Sequence, residues 1–467
     1  MIRAAAKNAA ACRTVFRDSV MRTPSLPALL AALVVAMPTA VTTAHARDAT
    51  HRSSAPLPGS ILRVASPEAA VTLALERSPT LGAAQAAVRA SRGEELQAGL
   101  RPNPELQLSN QNNSGSGPYR GGRPLETSVG LSQRLEIGGQ RAARSTVAAR
   151  DVTLAGHDLA AARLDLVRDV RTAYAQAVAA RRAVDIEQER QRLAEEVLRA
   201  TRERVNAGRE APAQQLRAES ALSTASIARD RAQREAIVAR RGLAVLLAAE
   251  DVEFVGRTAD TWFTEIGPAP ATNGQRPTNN PDYARLDDAV SRARAALDLE
   301  RRRATPDVTL NGSVSQYREA SATARDTAFV VGLSVPLQLF DRNQGNIARA
   351  GADLTRTELA SQQARRTLEG SLADAGQRYE AAWYEAEALR RTALPAAERA
   401  FGYAREGYRE GKFSFLEVLD AQRTLFEARG QLNDALREVH TRRAEVDRLS
   451  GGPLIGPMQP NSPGGRP

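Results

Sequence analysis

The segment Asn103-Pro104-Glu105-Leu106-Gln107-Leu108 and the segment Thr305-Pro306-Asp307-Val308-Thr309-Leu310 share one pattern, an X-Pro pair followed by alternating residues. They lie 202 residues apart. The same offset places Val129-Gly130-Leu131-Ser132 over Val331-Gly332-Leu333-Ser334. Self-similarity at one fixed spacing indicates an internal duplication. The chain is therefore predicted to contain two copies of a single structural unit.

Each copy contains two segments in which apolar residues alternate with polar or small ones. Period-two alternation is typical of β-strands. The predicted strands cover about residues 104–112 and 126–137 in the first copy, and about 306–317 and 327–339 in the second. Each is close to the roughly ten residues with which a tilted strand crosses a membrane. The sequence therefore predicts two β-hairpins of membrane-crossing length.

Long helical stretches follow the hairpins and end at turns that contain Gly208 and Gly411. From about residue 140 to residue 207 no proline occurs, which predicts a helical rod of roughly 100 Å. The second copy predicts a similar rod from about 343 to 410, in which Pro395 should cause a bend or a local break. A rod of this length cannot bury its own apolar stripe, so neighbouring helices must cover it.

The composition favours helical packing over catalysis or nucleic-acid binding. Aromatic residues make up 4% of the 467 residues, and the net charge of +10 comes from basic residues that are largely mixed with acidic ones. Nucleic-acid binding would need a concentrated basic face. The sequence contains no Walker loop, G-x-S-x-G or H-E-x-x-H motif, and its single cysteine, Cys12, precedes the mature chain. We therefore expect no enzyme activity.

The N-terminal region has the features of an export signal. Basic residues precede the apolar segment Leu26–Met37, and Ala44-His45-Ala46 provides a small-residue cleavage site. The apolar segment is too short to span about 30 Å of hydrocarbon as a helix. The predicted layout is a signal peptide at 1–46, a leader at 47–65, a first repeat at 66–250, a connector at 251–280, a second repeat at 281–450 and a Gly/Pro-rich tail at 451–467.

Four membrane-length strands in one chain raise a physical problem, because hydrocarbon cannot satisfy the edges of an open sheet. Three chains can solve it by closing a 12-stranded barrel, with four strands from each. The predicted fold class is thus mainly α with a small β part: a trimeric transmembrane β-barrel continued by a long periplasmic α-helical barrel. A soluble coiled-coil scaffold or a periplasmic adaptor is the alternative of another class.

The segment from Tyr408 to Gln422, Tyr-Arg-Glu-Gly-Lys-Phe-Ser-Phe-Leu-Glu-Val-Leu-Asp-Ala-Gln, resembles the Y-x-x-G…V-L-x-A-Q turn of the TolC-like outer-membrane efflux proteins. The resemblance extends from about residue 66 to residue 450 and includes both copies. It implies a homotrimeric channel in outer-membrane lipid that reaches into the periplasm. It also implies a periplasmic adaptor (membrane fusion protein) and an inner-membrane RND-type transporter as partners, no nucleic acid, and no cofactor.

The resemblance also implies roles for particular residues. Residues at the periplasmic tips, where the adaptor docks, are Gly208, Tyr408, Gly411, Phe413 and Ser414. Residues at the periplasmic aperture, where cations are selected, are Glu417 and Asp420, with Gln214 and Arg217 at the equivalent places in the first copy. Arg217 is a candidate partner of Asp420 in the closed state.

A second resemblance concerns the transported substrate. Gln133-Arg134-Leu135-Glu136-Ile137-Gly138-Gly139-Gln140-Arg141 resembles the strand-exit segment of the heavy-metal subgroup, although that subgroup usually has lysine where Gln140 stands. This favours efflux of heavy-metal cations over the alternative, efflux of drugs, dyes or other small molecules. After the signal, His51, His157 and His440 are scattered without ligand spacing, so we expect no metal site in the channel itself.

Overall fold

The computed structural model describes residues 61–111, 116–117, 125–255, 258–270, 276–318 and 325–452. The predicted signal peptide lies outside the described residues, and so do residues 47–60 of the leader and 453–467 of the tail. The described chain is mainly helical with a smaller share of strands.

The described residues form nine α-helices: α1 Pro67–Arg77, α2 Pro79–Ala98, α3 Gln140–Asn206, α4 Pro212–Leu246, α5 Thr258–Thr264, α6 Pro281–Arg303, α7 Gln344–Ala388, α8 Leu394–Arg409 and α9 Phe415–Ser450. They also form six strands: β1 Ile61–Val64, β2 Glu105–Gln111, β3 Leu125–Leu135, β4 Asp251–Phe254, β5 Val308–Arg318 and β6 Arg325–Ser334. The order helix, two strands, long helix, helix occurs twice, as the duplication predicts.

Helix α3 is the longest element, with 67 residues. At a rise of about 1.5 Å per residue it extends roughly 100 Å, which confirms the predicted rod. It starts after Gly139, whose left-handed backbone (φ 77°) turns the chain out of β3. Its buried stripe recurs every three or four residues and includes Leu164, Val167, Val170, Tyr174 and Val178.

The rod of the second copy is interrupted as Pro395 predicts. Helix α7 passes into a five-residue π-turn, Leu389–Ala393, and α8 begins at Leu394, directly before the proline. Proline has no N–H to donate, and its ring would clash with the carbonyl four residues earlier. A wider π-turn relieves that clash while the helix axis continues.

Strands β2, β3, β5 and β6 form one antiparallel sheet in that order. Register pairs Leu131 with Gly312, and Gly312 with Val331. Pairing of β6 stops at Ser334, short of the predicted end near residue 339. The reason is Pro336, which cannot donate a hydrogen bond to the ladder.

A second, smaller sheet was not expected from the sequence. Strand β1, within the predicted leader, pairs in parallel with β4, within the predicted connector. Val64 and Val252 are buried there, and Trp262 and Phe263 of the connector pack against the same core. The leader and the connector are therefore ordered at these residues, where they cover the middle of α3.

Ion pairs align α3 with the second copy. Three aspartates of α3, spaced seven residues apart, each pair with an arginine: Asp151 with Arg292 (3.0 Å), Asp158 with Arg285 (2.7 Å) and Asp165 with Arg448 (2.7 Å). Exposed pairs of this kind contribute up to about 1 kcal/mol each. Their spacing fixes the register between helices. No helix formed by the described residues has the length and apolarity needed to cross a membrane.

Candidate functional site

Two tight turns end the long helices at the side away from the four-stranded sheet. Gly208 (φ 70°) lies between α3 and α4, and Gly411 (φ 76°) lies between α8 and α9. Both backbones are left-handed, a conformation that glycine adopts without a Cβ clash. In each turn a backbone N–H bonds back to the last helical turn, as from Gly208 to Val205 (2.9 Å). The two turns are thus equivalent in backbone structure.

The second turn is held by two further features. Ser414 caps α9 in a reciprocal box, in which its backbone N–H donates to Glu417 (2.6 Å) and its hydroxyl accepts from the N–H of Glu417 (3.4 Å). The ring of Phe413 lies directly over Gly407, where any Cβ would collide with it. Even so, Phe413 remains 45% exposed, and Leu416 beside it is 60% exposed. The turn therefore presents apolar surface on a rigid backbone.

A polar network joins the two turns. The hydroxyl of Tyr408 donates to Glu210 of the first turn at 2.8 Å, and Arg204 pairs with the same carboxylate at 3.3 Å. Arg204 also donates to the carbonyl of Tyr408 (2.9 Å), and its guanidinium lies 4.1 Å from the centre of the tyrosine ring. Burial raises the pKa of the Tyr408 phenol, and the bonded Glu210 carboxylate raises it further. Tyr408 therefore stays protonated as a donor.

Tyr408 is a residue predicted from the sequence to lie at the tips, whereas its partners Arg204 and Glu210 were not predicted. Arg204 and Glu210 carry opposite charges on either side of Gly208. This pair of charges is the feature of the sequence that could have indicated a polar contact at the turn. The sequence pattern alone does not show that both side chains converge on the second turn. Tyr408 itself is buried, at 9% exposure, in a cluster with Phe401, Phe415 and Val418.

The predicted aperture residues lie near these turns. Glu417 and Asp420 are both exposed and lie three residues apart, on one face of α9. Arg217 is exposed on α4, and Gln214 is half-buried, with a side-chain oxygen that has no partner among the described residues. Within the described chain no ion pair joins Arg217 to Asp420. Glu417 is occupied in part by its bond to the Ser414 backbone.

The four-stranded sheet exposes apolar side chains on one face and covers polar side chains on the other. One face carries Phe329, Val331 and Leu333 of β6, which are 77%, 80% and 66% exposed. The opposite face carries Ser132 and Ser315, which are 6% and 3% exposed. A sheet that faces water has the reverse pattern, with apolar residues covered. This sheet therefore presents its apolar face outward.

The two histidines within the described residues have structural partners. His157 bonds to Asp288 at 2.7 Å. His440 is buried, stacks on Trp262 with 4.0 Å between ring centres, and lies 3.0 Å from the carbonyl of Phe263. Since a carbonyl only accepts, the Nε2 of His440 carries the proton. Burial lowers the pKa of His440 to about 4, so the ring is neutral and fixes the connector to α9.

A duplicated unit of long helices with an outward apolar sheet defines a class of membrane-associated export proteins. The chain belongs to the outer membrane efflux protein family, whose model matches residues 70–249 and 276–452. These two matched ranges are the two copies of the duplication. The protein is accordingly an efflux protein of the outer membrane that extends into the periplasm.

Relatives and a solved structure agree with this assignment. The chain is 30% identical over 386 residues to the cobalt-zinc-cadmium resistance protein CzcC of Cupriavidus metallidurans, covering 82% of this chain and 89% of the relative. It is 27% identical over 325 residues to the nickel-cobalt-cadmium resistance protein NccC of Alcaligenes xylosoxydans xylosoxydans, covering 68% and 72%. The crystal structure of CusC shares the fold, with a TM-score of 0.69 at 20% identity over 83% of this chain and 92% of that one.

Proposed function

We propose that three copies of this chain close their sheets into one 12-stranded barrel through the outer membrane, and that the helices continue it as a periplasmic tube. The observation that carries this proposal is the outward apolar face of the four-stranded sheet. Its outward apolar residues match hydrocarbon, and its covered serines match a polar lumen. The barrel conducts substrate passively, without catalysis, as expected from the absence of enzyme motifs.

The two edge strands of the sheet support the proposal that several copies of the chain close one barrel. Strands β2 and β6 are its outer strands, and each has a partner on one side within the chain. Unpaired N–H and C=O groups in hydrocarbon cost several kcal/mol each. Pairing β2 of one copy with β6 of the next removes both edges. Three-fold repetition gives a barrel within the size range of outer-membrane proteins.

The turns at the tips of the long helices have two proposed roles, docking of the adaptor and formation of the aperture. Gly208, Gly411, Phe413 and Ser414 form the surface that meets the periplasmic adaptor, which connects the channel to an inner-membrane RND-type pump. The exposed apolar side chain of Phe413 and the rigid cap at Ser414 support this role. Tyr408, predicted from the sequence as part of this surface, is buried and instead joins the two turns beneath it.

Glu417 and Asp420 form carboxylate rings at the aperture when three copies assemble. Such rings attract cations. Arg217 pairs with Asp420 of a neighbouring copy in the closed state, with Gln214 beside it. The exposure of Asp420 and Arg217, which have no ion-pair partner in the described chain, supports an inter-copy pair.

Heavy-metal cations are the proposed substrate. The metal-resistance names of CzcC and NccC support this choice. Repeats at 66–250 and 281–450, joined by the connector at 251–280, are the proposed domains, and the two family matches support that division.

Two experiments test the proposal. Membrane fractionation and cross-linking should find a trimer in the outer membrane, and the purified protein should form cation-conducting pores in planar bilayers. A monomer that forms no pores would contradict the channel. Deleting the gene should sensitise the host to cobalt, zinc or cadmium and leave its sensitivity to dyes unchanged, and the reverse result would identify organic molecules as the substrate.

A further inference from the structure

All four connections between strands and long helices lie at one end of the four-stranded sheet. They are residues 99–104, 136–139, 304–307 and 335–343. The other ends of the four strands, at Gln111, Leu125, Arg318 and Arg325, lie at the opposite end of the sheet, because β2 and β3, like β5 and β6, are antiparallel neighbours. The four helix-side connections and the residues next to them are called here the junction belt.

An exposed arginine lies within or beside each connection of the junction belt: two lie in the connections themselves, one in the first turn of α3 and one in the last turn of α6. These are Arg101, Arg141, Arg301 and Arg342. None of the four has an ion-pair partner among the residues that the structure describes. Arginine is always charged and presents a planar set of donors that fits phosphate oxygens. The belt thus has four cations directed to its surface.

Several carboxylates of the same region are turned inward. Glu136 pairs with Arg144 at 2.7 Å. Glu300 is 8% exposed and pairs with Arg303 at 2.7 Å. Asp307 accepts a hydrogen bond from Gln140. Three carboxylates in this region are exposed without an ion pair among the described residues: Glu94, which lines the same cleft as Arg101, Glu105, and Asp341, which already accepts from the backbone of Asn343. The outward charge is therefore net positive.

Exposed apolar side chains adjoin these arginines. Leu100 precedes Arg101 and is 49% exposed, and Phe340, two residues before Arg342, is 90% exposed. Ile137, Leu337 and Leu339 are 62%, 79% and 67% exposed. Leu337 and Leu339 continue the odd-numbered apolar row of β6 beyond its last hydrogen bond. Apolar side chains next to arginines are typical of a boundary between acyl chains and headgroups.

We propose that the junction belt binds anionic phospholipid headgroups of the membrane leaflet on the helix side. This rests on the proposed insertion of the sheet. The apolar side chains reach the acyl region, and the four arginines contact phosphodiester oxygens just beyond it. A charged leaflet attracts each nearby arginine on the order of fivefold in affinity, and the attraction falls within a Debye length. The belt would fix the depth of the barrel and retain acidic lipid around it.

The experiment compares lipid retention by the full-length protein in vesicles made of equal parts phosphatidylcholine and phosphatidylglycerol. After detergent extraction, mass spectrometry of the retained lipid should show enrichment of phosphatidylglycerol. The variant R101Q/R141Q/R301Q/R342Q should lose that enrichment. A matched variant, R77Q/R199Q/R241Q/R378Q, removes four exposed arginines from helices outside the belt and should keep it. High salt, near 1 M, should abolish the enrichment in the wild type, because the Debye length is then about 3 Å.

Flotation with pure phosphatidylcholine vesicles separates the two proposals. Wild type and both variants should insert into these neutral vesicles, since insertion depends on the apolar face. If none floats, the membrane-inserted sheet is wrong. If all three proteins float but the wild type retains both lipids equally, the proposal that the junction belt binds anionic lipid is overturned. The same conclusion follows if the matched variant loses enrichment as fully as the belt variant.

Discussion

The bond between Tyr408 and Glu210 should hold the two tips together, and Tyr408→Phe removes it without removing the ring. The phenylalanine keeps the contact with Phe415 and the position under the Arg204 guanidinium. The 2.8 Å hydrogen bond to the carboxylate is lost, together with the interaction between the phenol oxygen and the Thr201 side chain. Glu210 is then left with Arg204 at 3.3 Å, and its other oxygen already lacks a partner among the described residues.

The free energy lost in the Tyr408→Phe variant depends on the charge of the hydrogen-bond acceptor, the Glu210 carboxylate. A hydrogen bond to a charged group contributes about 1.5–3 kcal/mol, and the Glu210 side chain is only 14% exposed, so little solvent replaces the lost donor. We take the lost bond to be worth about 2 kcal/mol. Because about 1.4 kcal/mol corresponds to a factor of ten, the equilibrium between joined and separated tips shifts roughly thirtyfold. If the tips gate the channel, the ratio of open to closed channels rises by this factor, and the open fraction rises with it.

Single-channel recording in planar bilayers measures that fraction. Tyr403→Phe is the matched control, because Tyr403 lies on the same helix, is 73% exposed and should not change the recording. Hydrogen exchange at residues 204–212 gives an independent measure and should speed up in the Tyr408 variant alone. An open fraction and an exchange rate equal to those of the wild type would refute the role of this network.

Three other predictions concern His440, the aperture and one glycine. His440 has a pKa of about 4 in the folded chain, against about 6.5 when unfolded, so the unfolded state binds more protons between these values. As the pH is lowered from about 6.5 to about 4, the free energy of unfolding should therefore fall by up to about 1.4 kcal/mol per pH unit, and thermal melts of His440→Asn should lack this part of the pH dependence. Asp420→Asn should lower cation selectivity in reversal-potential measurements, whereas Asp434→Asn, with a side chain 72% exposed on the same helix, should not; equal losses would contradict the aperture assignment. Gly451→Ala should lower the melting temperature, because its Cβ would lie 2.6 Å from the Asn279 backbone and its φ is 72°, at a cost of at least about 1–3 kcal/mol.

The spacing of apolar residues along the sequence predicted the long helices well. The proline-free stretch from Gln140 and the single Pro395 predicted one continuous rod and one interrupted rod, and both predictions are confirmed. Such signals are strong because many residues repeat the same apolar spacing. The end of β6 was less well predicted, since a single residue, Pro336, outweighs the alternation that continues beyond it.

Contacts between distant segments could not be read from the sequence. Strand β1 has four residues, too few for a pattern, and it is ordered by pairing with β4 nearly 200 residues later. The partnership of Arg204, Glu210 and Tyr408 likewise depends on how two turns meet in space. In contrast, Ser414 and Glu417 match the capping-box pattern S-x-x-E. That local pattern was present in the sequence, although Glu417 was predicted only as an aperture residue.

The π-turn at Leu389–Ala393 makes the two halves of the duplication mechanically unequal. Through its whole length α3 has uninterrupted α-helical hydrogen bonds, whereas the equivalent rod of the second copy changes its bonding pattern for one turn before Pro395. Helices bend most readily at proline and at π-turns, so we expect the second rod to bend at this point. In the proposed assembly, a load applied at the tips by a docked partner would flex the second rod at this joint while the first stays straight, so twisting of the proposed tube would start on one side of each copy.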